Sequence, residues 1–209
     1  MKNIYPAFLV FCLLLAACSA SKKATNDNAQ PVPVVTPPPA PIPVPVQQSR
    51  QVKEQVDTIL LALKTKYAAY LSTIPDSICN VKLYSFIDRW LNTPYKWGGM
   101  DEQGIDCSAF IQRLFNDVYD IKIPRTSFEQ LLAKYVEVYS SPKYLAEGDI
   151  IFFRTMKDKI VSHVGIYLQN GMFVNSSSSK GVSIASLQLP YWKTKYVACG
   201  RINVVVARK

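Results

Sequence analysis

Sixteen consecutive residues, Pro31 to Val46, read PVPVVTPPPAPIPVPV and divide this 209-residue chain into parts that fold under different rules. Proline fixes its own φ and has no N–H to donate. A run this dense is therefore shut out of helix interiors and sheet ladders and takes an extended polyproline path. At about 3 Å per residue it can hold a domain several tens of ångströms from whatever precedes it. A spacer is the main reading, and a proline-rich ligand for another domain is the alternative.

Ahead of the tract and the small polar residues Ser19 to Gln30, Lys2 precedes an apolar run from Ala7 to Leu15. That run is too short for an ordinary membrane-spanning helix and has the build of a secretory leader. Leu15-Ala16-Ala17-Cys18 has the pattern of a bacterial lipobox, in which small residues admit a signal peptidase and the cysteine becomes the lipid-bearing first residue. The expected division is a signal peptide at 1–17, a lipid-anchored proline-rich linker at 18–49, a leader helix at 50–76 and a globular domain at 77–209. A plain secretory leader cut nearby is the alternative. Ser19 is not the aspartate that retains enterobacterial lipoproteins at the inner membrane. The expected place is thus the cell envelope, at the outer membrane facing the periplasm, with lipid on Cys18 as the membrane contact.

Within the leader, Val52, Val56, Ile59, Leu60 and Leu63 recur at helical intervals. They fit either an amphipathic helix packed on the domain or part of the stalk. The net charge of +9 invites a nucleic-acid reading, but an exported lipoprotein meets no nucleic acid, so none is expected as a partner. Cell-wall anions and lipid headgroups are the available counterparts.

The rest of the chain is of single-domain length and contains one histidine, His163, in the strand-like stretch IVSHVGIYL. Cys107 opens a helix-like stretch, GIDCSAFIQRLF, whose apolar residues Phe110, Ile111, Leu114, Phe115 and Val118 fall on one face. Asp106 is suited to cap that helix, which places Cys107 in the first turn, where backbone amides are expected to lower the thiol pKa. A thiol nucleophile needs a base, and the chain offers a single imidazole. GDIIFFR (Gly148–Arg154) and Ile160–Leu168 read as successive strands, with Val164, Ile166 and Leu168 facing the core and His163 the opposite face, where the helix start is expected to meet it. Gln169-Asn170-Gly171 then signals a turn. A three-residue loop pairs Leu168 with Met172 and Gly165 with Asn175, so that Asn175 lies diagonally beside His163 and can accept its second ring N–H. A two-residue loop would turn Asn175 away. With Cys107 reserved as a free thiol, Cys79 and Cys199 are the pair open to a disulfide, and the sequence does not place their α-carbons.

TPYKWGG (Thr93–Gly99), GIDCSAFIQRLF, IPRTSFEQ (Ile123–Gln130), GDIIFFR, SHVGIYL and FVNSSSSKGV follow in order. Together they resemble the NlpC family of cell-wall cysteine peptidases, above all its short lipoprotein members, over roughly Val81 to Ile202. The resemblance implies an α+β, papain-like fold with the nucleophile helix packed on an antiparallel sheet. It places the nucleophile at Cys107, the base at His163 and the orienting residue at Asn175, where the family usually has histidine. It also implies an oxyanion role for Tyr95, and a pocket for the amino end of a peptidoglycan stem peptide lined by Asp106 and Ser108. Gly98 and Gly99 are expected to let the backbone pass close to the site, and Arg125 and Ser127 to be structural. No metal and no cofactor are expected, because one histidine without paired cysteines does not supply a zinc ligand set.

The expected activity is hydrolysis of stem-peptide or cross-link amide bonds in peptidoglycan. Two alternatives remain open. One is an amidase or acyltransferase on the same fold, and the other is a non-catalytic cell-wall-binding lipoprotein.

Overall fold

Isoleucine, valine and phenylalanine crowd the stretches on both sides of His163, and such side chains fit a pleated, buried surface. The computed structural model describes residues 46–207. Along the chain run α1 (Val46–Leu71), α2 (Val81–Trp90), β1 (Met100–Asp101), β2 (Gly104–Ile105), α3 (Cys107–Tyr119), α4 (Ser127–Leu132), β3 (Val136–Tyr139), β4 (Ile150–Phe153), β5 (His163–Tyr167), β6 (Met172–Ser177), β7 (Gly181–Ser186), α5 (Pro190–Lys195), β8 (Tyr196–Ile202) and α6 (Val204–Ala207). Six strands form one antiparallel sheet in the order β3-β8-β4-β5-β6-β7, and β1 pairs with β2 apart from it.

The hairpin that carries His163 turns as its residue types dictate. Asn170 (φ 53°) and Gly171 (φ 75°) take left-handed conformations, which both residue types accept. The Leu168 N–H donates to the Met172 carbonyl at 2.9 Å, and the strands pair Ile166 with Val174 and Tyr167 with Phe173. This is the register of a three-residue loop, and it sets Asn175 on the face of His163.

Both faces of the sheet are covered. Val164, Ile166, Leu168 and Val174 join Phe110, Ile111 and Leu114 of α3 in the main core. On the other face Ile151, Phe153, Phe173, Leu187 and Trp192 form a smaller cluster. Here the structure differs from the sequence expectation. Helix α3 packs on the core face and not on the histidine face, because its apolar stripe must bury against the continuous aliphatic side of the sheet.

The leader also differs in extent. It runs from Val46 to Leu71, and the left-handed Ser72 and then Pro75 end it. Of the expected stripe Val52, Val56 and Ile59 are solvent-exposed and Leu60 is half-buried, while Leu63 packs against the core that Tyr67, Ala68 and Leu71 of the last turns enter. The hairpin turn holds that end, with Asn170 Nδ2 donating to the Leu71 carbonyl at 2.9 Å. The expected signal peptide, Cys18 and most of the proline-rich linker lie outside the described residues. Among the described residues, no helix is long and apolar enough to cross a membrane. Cys79 and Cys199 are not joined. Cys79 is exposed beside α2, while Cys199 is buried in β8 with its Sγ 3.3 Å from the Tyr139 carbonyl oxygen.

Leu71→Ala is expected to cost about 2–5 kcal/mol, as truncation of a fully buried leucine does, and Ile59→Ala less than about 0.5 kcal/mol. Urea denaturation of the full chain checks this, and equal costs would contradict a leader helix rooted only at its end.

Candidate active site

The site is built outward from a helix cap. Asp106 accepts the Ala109 N–H at 2.8 Å through Oδ1, leaving the backbone N–H groups of Cys107 and Ser108 at the open end of α3. The same carboxylate accepts from Gly98 N (3.1 Å), Ser108 Oγ (3.1 Å), Arg125 Nη1 (3.0 Å) and Arg125 Nη2 (2.6 Å). Burial pushes the Asp106 carboxyl up, but the Arg125 hydrogen bonds, the Ala109 amide and the Arg125 charge outweigh it and hold it below the usual carboxylate range. Three segments thus converge on one side chain: the loop before β1, the start of α3 and the loop before α4. Gly98 sits in the left-handed region (φ 73°), and a Cβ on Gly99 would lie 2.2 Å from the Gly104 carbonyl oxygen, so the two glycines are required for different reasons.

Arg125, expected to be structural, is the partner that saturates Asp106. Its Nη1 also donates to Ser108 Oγ at 2.9 Å. Gln130 braces the same corner, donating to the carbonyls of Ser108 (3.0 Å) and Pro124 (2.9 Å). Ser127 lines the cavity beside Cys107.

Cys107 is 6% exposed, and the backbone N–H groups of Val164, Ser108 and Cys107 itself face its sulfur. Val164 follows His163 directly, so the sulfur lies against the backbone at the start of β5, next to the histidine, and not across the opposite face. Burial pushes the Cys107 thiol up to about 11 against the pull of those amides. The expected depression of the thiol pKa is thereby overturned, because desolvation of the anion outweighs the helix-start amides.

His163 is equally buried, stacked on Trp192 (centroids 5.2 Å apart, planes at 25°) and tilted against Phe153 at 5.9 Å. Its Nε2 lies 3.0 Å from Asn175 Oδ1. Asn175 Nδ2 donates to the Ser183 carbonyl at 3.4 Å, which aims the amide oxygen at the ring. Nε2 therefore carries the proton and donates, and Nδ1 is left as the basic nitrogen. Burial pushes His163 down to about 4, with the Asn175 hydrogen bond opposing it.

Two cavities flank these groups. One of about 680 Å³ is lined by Cys107, Asp106, Ser108 and Arg125, and one of about 930 Å³ by His163 and Asn175. Tyr95, Trp97, Met156 and Ser162 line both and form the saddle between them. Burial and the nearby Cys107 and Asp106 push Tyr95 up to about 12, so its hydroxyl keeps its proton. That hydroxyl has no hydrogen-bond partner among the described residues and remains free to donate. Trp97 is 76% exposed on the saddle. The sequence reading missed Trp192 and Trp97, the first because α5 follows the histidine by a long separation without a motif. Among the described residues no three His, Cys, Asp or Glu side chains converge as a metal site.

Residues 92–201 match the NlpC/P60 family, just over half of the chain. The chain belongs to the NlpC/P60 family. The probable endopeptidase NlpC homolog of Haemophilus influenzae is 38% identical over 120 residues, covering 57% of this chain and 61% of that one. The murein DD-endopeptidase MepS/murein LD-carboxypeptidase of Escherichia coli K12 is 40% identical over 114 residues, 54% of this chain and 57% of that one. The match thus spans about six-tenths of these relatives' length. A solved NlpC/P60 family protein from Bacillus cereus superposes with a TM-score of 0.52 at 28% identity, covering 59% of this chain and 40% of that one. Like such NlpC/P60 structures, the chain is α+β and papain-like, with its cysteine helix on an antiparallel sheet.

The buried imidazole links folding to pH. Its folded pKa of about 4 lies below the usual 6.5, so the unfolded chain takes up a proton in that window that the folded chain refuses. Stability is therefore lost as pH falls from above 6.5 to 4, by on the order of 3 kcal/mol. A His163→Gln variant is expected to lack this component of the loss, and parallel denaturation curves at pH 7 and pH 4 check it. Alkylation of Cys107 by iodoacetamide is expected to rise with an inflection near pH 11, and an inflection below pH 7 would contradict a neutral resting thiol.

Proposed function

We propose that the chain hydrolyses stem-peptide or cross-link amide bonds of peptidoglycan with Cys107 as nucleophile. The observation that carries this reading is the pairing of His163 Nε2 with Asn175 Oδ1 at 3.0 Å, which leaves Nδ1 as the ring's basic nitrogen. The sulfur, meanwhile, lies against the N–H of the next residue, Val164. The names of the relatives, murein and NlpC endopeptidases, support the same substrate.

In this mechanism the Cys107 proton passes to His163 Nδ1 as sulfur bonds to the carbonyl carbon. The oxyanion is received by the amides of Cys107 and Ser108, which face the sulfur before attack, and by the Tyr95 hydroxyl. The C–N bond then breaks, the amine leaves with the proton from His163, and a thioester remains. Water attacks the thioester and gives one proton to His163, which returns it to the sulfur as the acid product departs. Asn175 holds the ring without itself exchanging a proton.

Asp106 and Ser108 shape the acyl side through Arg125. With five donors on a carboxylate that offers about four lone-pair sites, Asp106 has no room for a substrate ammonium. Arg125 keeps its side-on edge, Nε–H with the outer Nη2–H, without a protein partner among the described residues, and it lines the cavity. A guanidinium edge of that kind accepts a carboxylate in bidentate fashion, which suits an acidic acyl-side residue such as D-glutamate. The same proposal places the chain on a lipid at Cys18, at the outer membrane facing the periplasm, with the proline tract as spacer.

Muropeptide digestion with the purified full chain, read by mass spectrometry, tests the activity. New amino termini within stems are expected, whereas freed lactyl groups would indicate an amidase. Binding without any product, unchanged in Cys107→Ala, would overturn the hydrolase reading. His163→Ala is expected to lose roughly 10²–10⁴-fold in rate, the range of a positioned general base, and Asn175→Ala less.

A further inference from the structure

The direction of proton transfer tells the two cavities apart. The departing amine must collect its proton from His163, so it leaves on the side of the imidazole. The cavity lined by His163 therefore receives the amine-side half of the substrate, and the cavity around Cys107 and Arg125 receives the acyl half. This assignment rests on the hydrolase reading above.

The amine-side cavity has a one-sided chemistry. Among the described residues no aspartate or glutamate lines it, and Lys180 is the one lysine or arginine that does. The Lys180 ammonium has no salt bridge among the described residues. It sits at the tip of the β6–β7 hairpin, the same hairpin that carries Asn175. Asn175 pairs with Ser183 and Ser177 with Gly181, so Asn175, Ser177 and Ser183 share one face of the two strands. Going from Asn175 toward the tip, the cavity lining changes from the carboxamide that holds the base to the Ser177 hydroxyl and then to the Lys180 ammonium. Strand rise places Ser177 roughly 7 Å from Asn175 toward the tip. Hydroxyls and a cation with no acid nearby form a receptor for a carboxylate.

We infer that Lys180, with Ser177 between it and Asn175, reads a free carboxylate on the amino acid whose amine is released. The favoured substrate class is an acyl group on the amine of an amino acid that keeps its own carboxylate unblocked. A stem peptide ending in such a residue and a cross-link whose amine-bearing carbon carries a carboxylate both present this chemistry. The amidated counterparts lack the charge and bind less well.

The test measures binding apart from turnover. The full chain carrying Cys107→Ala is titrated by calorimetry at low salt with two pairs of ligands. One pair is a tetrapeptide stem with a terminal carboxylate or a carboxamide. The other is a cross-linked dimer whose amine-side residue is free or amidated. The expected result is about tenfold tighter binding of the free acid in at least one pair, and the pair that responds identifies the source of the carboxylate. Adding Lys180→Glu is expected to abolish or reverse the preference, and Lys180→Arg to keep it. Equal affinity for acid and amide in both pairs, no binding of any ligand, or a preference that survives Lys180→Glu would overturn the inference. Turnover of the same ligands by the wild-type chain judges the hydrolase reading separately, because the binding arm needs no catalysis.

Discussion

One carboxylate holds the site in register. Asp106 caps α3 and at the same time gathers the loop before β1 and the loop before α4, through Gly98 and Arg125. It does so alongside the backbone bonds from Ile105 to Pro94 and from Asp106 to Gly99 and the Gln130 brace between Ser108 and Pro124, which together place Tyr95, Cys107 and Arg125 around one corner. The Asp106–Arg125 pair is mostly buried on the carboxylate side and bidentate, the geometry in which an ion pair fixes position as well as attracting. Loss of either partner would leave a charge in a desolvated corner and free the helix start from its loop.

The parts of the architecture that follow from local rules were legible in the sequence. The apolar periodicity after Asp106 marked α3, and Asp106 caps it as expected. Gln169-Asn170-Gly171 marked the hairpin turn, and the three-residue loop that forms is the one of the two weighed that puts Asn175 on the face of His163. The 3.0 Å contact between the two side chains is the outcome. Side-chain alternation also assigned Val164, Ile166 and Leu168 to the core. In each case the decisive interaction lies within a few residues or across one tight turn.

What depends on long-range packing was not legible. Nothing in PYWKTK marks Trp192 as the ring that stacks on His163, since α5 reaches the imidazole only once β7 has been laid down. Arg125 carried no local sign that it would saturate Asp106 across a separate loop. The leader stripe of Val52, Val56, Ile59, Leu60 and Leu63 has helical spacing, yet only its last member, Leu63, packs against the core, beside Tyr67, Ala68 and Leu71, because only the last turns of α1 reach the core and the hairpin turn. Periodicity locates a helix, but the three-dimensional neighbourhood decides which part of it is covered.

Burial also reverses the electrostatic expectation at Cys107 and gives Asn175 its significance. A carboxylate beside His163 would favour the imidazolium, whereas a carboxamide contributes one dipole, which does not offset desolvation of the charged ring. Thiol and imidazole are both held neutral near pH 7, the thiol up at about 11 and the ring down at about 4. In the proposed mechanism charge separation then waits until a carbonyl is in place, and the negative charge passes through sulfur to oxygen. The groups that meet it there do not titrate near neutrality: two amides at the open end of α3, and Tyr95, whose proton is retained up to about pH 12. A site with this balance relies on preorganised donors at the oxyanion in place of a preformed thiolate. That arrangement is consistent with an orienting residue that has no charge of its own.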